Sequence, residues 1–143
     1  MRPKFELLEH LADAYVAAHG QSLEEAFENA ALAMFEVMTD TQKIQTRLKD
    51  DVTVEGHDQK ALLYSWLEQL LLKFEIEGKL YSKFQVKELL QIGKGWRLSA
   101  TVFGEQFDPA KHVSKVEVKA VTYHQMEISR KDDGYVVKFI LDL

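Results

Sequence analysis

Residues 80–103, with the sequence LYSKFQVKELLQIGKGWRLSATVF, decide the fold class of this protein. Apolar and polar side chains alternate here with a period of two, which is typical of strands that bury one face. The alternation stops once, at Gly93-Lys94-Gly95, where the glycines allow a tight turn. The segment therefore predicts an antiparallel hairpin in which Tyr81 to Ile92 pair with Trp96 to Phe103.

The residues after this hairpin predict three more strands. The strand-like runs are Lys115 to Val121, Tyr123 to Arg130 and Tyr135 to Leu143, with a tight turn at Asp133-Gly134 before the last one. Strands that are joined by short turns pair antiparallel, because a parallel crossover needs a dozen or more residues. About five strands are thus expected in the second half of the chain.

The first half of the chain predicts two helices between further strands. A short apolar start at Phe5 to Leu8 and a strand from Asp13 to His19 precede Ser22, which forms a capping box with Glu25. The apolar face of the first helix is made of residues spaced by three and four: Leu23, Phe27, Ala30, Met34 and Met38.

A second helix is expected from the cap at Asp58 to about Ile76, after a strand around Gln45 to Glu55. Its apolar positions are too many for one face, so it is covered on two sides, either by its own sheets or by a partner chain. The element order predicts an α+β fold, with one or two predominantly antiparallel β-sheets packed with two α-helices.

Length and composition exclude several classes of protein. A chain of 143 residues with 46% hydrophobic residues is expected to form one domain, 1–143. The absence of cysteine excludes a disulfide framework, a thiolate metal site and a cysteine nucleophile. No apolar run approaches the ~18 to 20 residues that span a bilayer, and no signal peptide is evident, so we expect a cytoplasmic protein without a membrane partner.

The charge distribution argues against binding nucleic acid through a continuous basic surface. The formal net charge is −5, and residues 1–60 carry 12 acidic against 6 basic side chains. An acidic surface of this kind suits cations or basic proteins, although a surface that simply keeps the protein soluble is the more common reason for it.

Asp13 and Asp142 are acidic residues that stand next to apolar stretches of the sequence. Each adjoins an apolar stretch, where an ionised carboxylate is costly unless it is solvated, paired or bound to a cation. If the two strands meet, a divalent cation would relieve the repulsion, and the backbone or terminal oxygen of Leu143 could add a ligand. Oxygen ligands select calcium or magnesium over zinc. The alternative is a solvated chain end.

Other candidate residues are less specific. The five histidines are scattered, so none forms a zinc motif, and His10 is expected to be a hydrogen-bonded structural residue. Lys119 shares a strand face with Glu117 and could meet a phosphate or a partner's carboxylate, or simply be solvated. Gly104 to His112 is expected to be a connecting loop. Motifs of hydrolases, phosphate-binding loops and EF-hands are missing.

Several blocks of residues closely resemble the archease family. They occur in the family's order and span almost the whole chain: His10-Leu11-Ala12-Asp13, residues 22–35, Met38-Thr39-Asp40-Thr41, residues 104–109 with Lys111-His112, residues 117–124, and Asp142-Leu143. One departure is Leu11, which stands where the family commonly has threonine, two residues before the aspartate.

The resemblance implies a small cytoplasmic α+β protein that assists the RtcB-type RNA ligase, which joins tRNA halves after intron removal. It would promote the ligase's guanylylation and multiple turnover without catalysing a reaction itself, and would meet tRNA only indirectly. The family's metal ligands match the side chains of Asp13 and Asp142 and a main-chain oxygen of Leu143, with calcium as the usual ion. The family's functional lysine matches Lys119, an electrostatic contact to the ligase or its nucleotide.

Two alternatives stay open on the sequence. One is a chaperone or specificity modulator of a tRNA-modifying enzyme. The other is a metal-dependent hydrolase that uses Asp13 and Asp142, although it lacks a nucleophile or histidine base beside them.

Overall fold

The computed structural model describes residues 3–8 and 13–143, and within them it contains two α-helices and seven strands. The predicted α+β class is confirmed. The elements in chain order are β1 (Phe5–Leu8), β2 (Asp13–Gly20), α1 (Leu23–Met38), β3 (Leu48–Gly56), α2 (Gln59–Glu77), β4 (Lys79–Ile92), β5 (Gly95–Gln106), β6 (Ala120–Lys131) and β7 (Gly134–Asp142), with a 3₁₀ turn at Thr41–Lys43.

The strands form two antiparallel sheets. One sheet has the order β1-β2-β7-β6 and the other the order β3-β5-β4. The predicted hairpin is β4–β5, in which Ile92 pairs with Gly95 across the expected turn. Because β7 lies between β2 and β6, the last strand joins the first part of the chain to the residues after the hairpin.

Side-chain caps fix where both helices begin. The Ser22 hydroxyl accepts a hydrogen bond from the Glu25 N–H at 3.1 Å, and the Glu25 carboxylate accepts one from the Gln21 N–H at 2.8 Å. The Asp58 carboxylate caps α2 by accepting from the Ala61 N–H. α2 ends at Gly78, whose φ of +69° favours glycine.

Both helices lie between the two sheets. α1 packs against β2 and β7 on one side and β4 on the other, and α2 packs against β3 and β6. This arrangement explains why α2 has no single apolar stripe, because strands of this chain cover it on two sides. Trp66 is fully buried between them, and its indole N–H donates to the Phe27 carbonyl at 2.9 Å. Leu72, in contrast, remains 39% exposed.

The strand predictions after the hairpin were wrong in two details. Four strands follow α2 instead of about five, because residues 113–119 are extended without sheet pairing and the run from Ala120 to Lys131 is one strand. The register of β6 against β7 shifts between Thr122 and Glu127, which bulges the middle of that strand. The alternation is therefore interrupted by a bulge and not by a turn.

No helix among the described residues is long and apolar enough to cross a membrane.

Candidate functional site

Asp13 and Asp142 lie directly opposite each other on neighbouring strands. The β2–β7 ladder pairs Asp13 with Asp142 and Ala14 with Leu141. Leu141 is fully buried toward the helices, so strand alternation directs the two aspartates to the other face of the sheet. Asp13 is half-buried and Asp142 is exposed.

This pair fits the chemistry of a hard cation. Side chains directly opposite in an antiparallel pair have Cβ atoms roughly 4.5–5.5 Å apart, and like charges there repel. A divalent ion between the carboxylates would remove that repulsion, and the adjoining half-buried Leu143 offers a main-chain oxygen. Within residues 3–8 and 13–143 no three His, Asp or Glu side chains cluster tightly enough to hold a metal on their own. Any ion here therefore needs main-chain oxygen or water as well.

Lys119 is attached to the same strand end. Its backbone N–H donates to the Asp142 carbonyl at 2.7 Å, immediately before Ala120 pairs with Asp142 in the β6–β7 ladder. The lysine side chain is exposed. All four residues that the sequence singled out, Asp13, Asp142, Leu143 and Lys119, thus meet at one corner of the four-stranded sheet.

The segment that leads to Lys119, residues 113–119, is anchored to the end of α1. The Thr39 hydroxyl donates to the Val113 carbonyl at 2.5 Å, and the Lys115 N–H donates to the Met38 carbonyl at 2.9 Å. The Lys115 ammonium also donates to the Glu36 carboxylate at 2.6 Å. Because this segment has no ladder partners, these contacts determine its path into the corner.

Charge and hydrogen bonding act together on Glu36. Burial alone would raise the pKa of Glu36, but hydrogen bonds from Lys115 and Thr41 outweigh it and hold the pKa below its usual value. Glu36 therefore stays ionised and keeps its pairing with Lys115.

A second polar cluster surrounds Glu105, in the region that was expected to be a loop. That expectation was wrong for Gly104 to Gln106, which form the end of β5. The Glu105 side chain is 8% exposed and accepts hydrogen bonds from the Gln45 N–H, the Lys111 ammonium and His112. Burial would raise the pKa of Glu105, but these hydrogen bonds lower it to about 2.

The backbone determines the tautomer of His112. The Asp108 N–H donates to His112 Nδ1 at 2.9 Å, so Nδ1 is an acceptor and the ring proton is on Nε2. Nε2 then donates to Glu105 at 2.9 Å. With both ring nitrogens engaged and the ring buried, His112 supports the loop and is not available as a base.

Sequence reasoning missed the Glu36–Lys115 and Glu105–His112 contacts, since each joins residues of ordinary type. The only signal was that Glu105 and His112 lie inside the blocks that resemble the archease family, whereas Glu36 and Lys115 lie just outside them. His10 and Leu11, about which a structural role and a lost hydroxyl were predicted, lie outside the described residues.

Comparison with known proteins gives a consistent result. The model of the archease protein family matches residues 5–143. The chain is 46% identical to a protein named archease from Sulfurisphaera tokodaii, over 98% of this chain and 99% of that one. It is 47% identical to a Pyrococcus furiosus archease over 92% of each chain.

Two solved structures are similar to the whole chain. A solution structure of a Methanobacterium thermoautotrophicum protein matches with a TM-score of 0.86 and 44% identity, over 98% of this chain and 99% of that one. A Thermotoga maritima structure, described as an archease and possible chaperone, matches with a TM-score of 0.58 over 100% and 98%. At 19% identity, this second likeness concerns the fold alone.

Proposed function

Because the chain belongs to the archease family, we propose that it is a non-catalytic activator of the RtcB-type tRNA-splicing RNA ligase. It promotes transfer of GMP from GTP to the ligase and thereby allows repeated turnover. The observation that carries the proposal is the convergence of Asp13, Asp142 and Lys119 at one sheet corner.

The corner has the groups that an electrostatic activator needs. Guanylylation transfers GMP from GTP to the ligase and releases pyrophosphate, so much of its catalysis is positioning and neutralisation of the phosphate charges. Asp13, Asp142 and a main-chain oxygen of Leu143 would hold a divalent cation, with calcium as the first candidate. That ion would supply positive charge toward phosphate oxygens. Lys119, whose backbone N–H bonds to the Asp142 carbonyl, has an exposed side chain and would supply a second positive charge at this corner.

Among the residues that the structure describes, this corner has none of the groups of an independent hydrolase. Its described members carry carboxylates and one lysine, and the histidines that the structure describes at positions 19, 57, 112 and 124 serve other contacts or lie elsewhere in the fold. A role through a partner's active site therefore suits these residues better than chemistry at the corner itself.

The direct test mixes the purified protein with ligase, GTP and cleaved RNA, and measures covalent GMP and the number of turnovers. We expect wild type to raise both, and Asp142→Asn and Lys119→Ala to lose most of the gain. Matched controls are Asp133→Asn, an exposed carboxylate in the β6–β7 turn, and Lys131→Ala at the other end of β6. Unchanged guanylylation and turnover with wild type would eliminate this function.

The alternative function is that of a chaperone of a tRNA-modifying enzyme. The Thermotoga structure is described as a possible chaperone, which is why we retain this alternative. That function predicts that the protein keeps such an enzyme soluble while leaving ligase guanylylation unaffected. Sedimentation of the enzyme with and without this protein separates the two.

A further inference from the structure

A stacked aromatic pair, of which one ring is exposed, lies along β6 from the acidic corner. The rings of Tyr64, from α2, and Tyr123, from β6, are stacked with centroids 4.4 Å apart and an interplanar angle of 9°. Tyr123 is 52% exposed although it is a large aromatic residue. Its ring is therefore covered by Tyr64 on one face and open to solvent on the other.

Tyr123 lies within the bulge of β6. The shift of register between Thr122 and Glu127 removes the residues between them from the ladder, and Gln125 has a φ of +56°. A left-handed residue outside glycine is uncommon and costs conformational energy. Val121 is buried and Tyr123 follows it by two residues, so strand alternation places Tyr123 on the side of β6 that faces α2.

Two carboxylates make the surroundings of the ring negative. The Tyr64 hydroxyl donates to Glu68 at 2.7 Å, which puts that carboxylate beside the stacked rings. Burial, followed by the charges of Asp58 and Glu68, raises the pKa of Tyr123. The Asp58 side chain is 57% exposed; one of its oxygens accepts from the Ala61 N–H, and the other lies 3.5 Å from the ring of His57. Negative potential beside an open aromatic face repels a phosphate and attracts a cation.

An arginine side chain matches both features. Guanidinium stacks on aromatic rings and donates hydrogen bonds to carboxylates in the same plane, and unlike a nucleotide it carries no phosphate for those carboxylates to repel. Tyr123 also follows Lys119 by four residues on the same strand edge, so the two lie roughly 13 Å apart along an extended chain. The aromatic pair therefore continues the surface that the proposed function brings to the ligase.

We propose that the open face of Tyr123, flanked by Glu68 and Asp58, receives an arginine side chain of the partner protein. The identity of that partner as the RNA ligase rests on the proposed function. The contact fixes the orientation of docking, while the acidic corner acts on the nucleotide.

Titration of the ligase with each variant separates docking from activation. We expect Tyr123→Ala to raise the half-saturating concentration about five- to tenfold while maximal activation is retained, because only a docking contact is lost. Tyr123→Phe keeps the ring and stays close to wild type. Asp58→Asn keeps the helix cap but removes the charge, and it weakens the dependence of docking on salt.

The matched control is Ile76→Ala, which truncates an exposed apolar side chain near the opposite end of α2. Asp142→Asn should show the reverse pattern, with lower maximal activation. A half-saturating concentration of Tyr123→Ala within twofold of wild type would overturn the proposal.

A second experiment does not depend on the ligase. Ring proton shifts of Tyr64 and Tyr123 are followed by NMR during titration with a tetra-arginine peptide, a tetra-lysine peptide and GMP. Larger shifts and tighter binding with the arginine peptide, lost in Tyr123→Ala, support the site even if ligase activation fails. Shifts with GMP alone would overturn the arginine site in favour of a nucleobase site. Equal responses to the two peptides would also overturn it, because they would show only nonspecific charge attraction.

Discussion

The carboxylates of Asp13 and Asp142 occupy paired positions on β2 and β7, although the two residues are far apart in the sequence. Neutral side chains would stabilise this ladder better, since like charges directly opposite are unfavourable. A cation bound between the two carboxylates would neutralise both charges.

Asp142→Asn is expected to stabilise the metal-free protein. Removing one of two opposed charges should add about 0.2–1 kcal/mol to the free energy of unfolding, measured by urea denaturation in the presence of a chelator. The same variant should lose the rise in melting temperature that calcium gives the wild type. Lower stability in chelator, or an unaltered calcium response, would contradict the proposed ion site.

Glu105 is expected to make stability depend on acid pH. Its pKa falls from 4.5 to about 2 on folding, so its contribution is complete above about pH 5 and is lost as the pH falls toward 2. Glu105→Gln should cost about 2–3 kcal/mol at neutral pH and flatten the pH dependence in that window. Urea unfolding at several pH values measures both, with the exposed Glu88→Gln as control.

Lys115→Met is expected to loosen residues 113–119 without unfolding the protein. The ion pair with Glu36 is partly exposed, so its loss should cost only about 0.5–1 kcal/mol. Hydrogen exchange should nonetheless accelerate at the Lys119 amide, which bonds to Asp142. Lys87→Met, at an exposed site on β4, serves as control, and unchanged exchange at Lys119 would show that backbone bonds alone hold the segment.

Gly104→Ala is expected to be strongly destabilising. A Cβ at this position would lie 1.7 Å from the carbonyl oxygen of Leu80, a backbone atom of the paired strand β4. The strands must separate locally, so we expect a loss of about 3 kcal/mol or more. Thermal unfolding measures it, with Ser99→Ala on the same strand as control. A melting temperature close to wild type would mean that the β4–β5 ladder yields more easily than its packing indicates.

Local sequence patterns predicted the helices and the hairpin because their signals are short-range. Ser22 and Asp58 are caps whose partners lie three residues away, and the β4–β5 turn has glycines on both sides of Lys94. Periodicity could not predict the bulge in β6. A bulge leaves the composition of a strand unchanged but moves the following side chains to the opposite face of the sheet. The single strand from Ala120 to Lys131 was therefore predicted as parts of two strands.

The candidate site was predicted only in part, for a related reason. Unusual surroundings identified Asp13 and Asp142, and the family likeness added Lys119, but their meeting depends on the long-range β2–β7 pairing. The stacking of Tyr64 on Tyr123 had no signal in the sequence, since two tyrosines on different elements are common and these two meet only through the packing of α2 on β6.

The pairing of β2 with β7 has a kinetic consequence. Its partners are more than a hundred positions apart, and contacts of such sequence separation are slow to form because a long loop must close first. The opposed carboxylates come together only when this ladder closes. An ion that recognises the closed ladder alone should therefore leave the refolding rate nearly unchanged and prolong the lifetime of the native state.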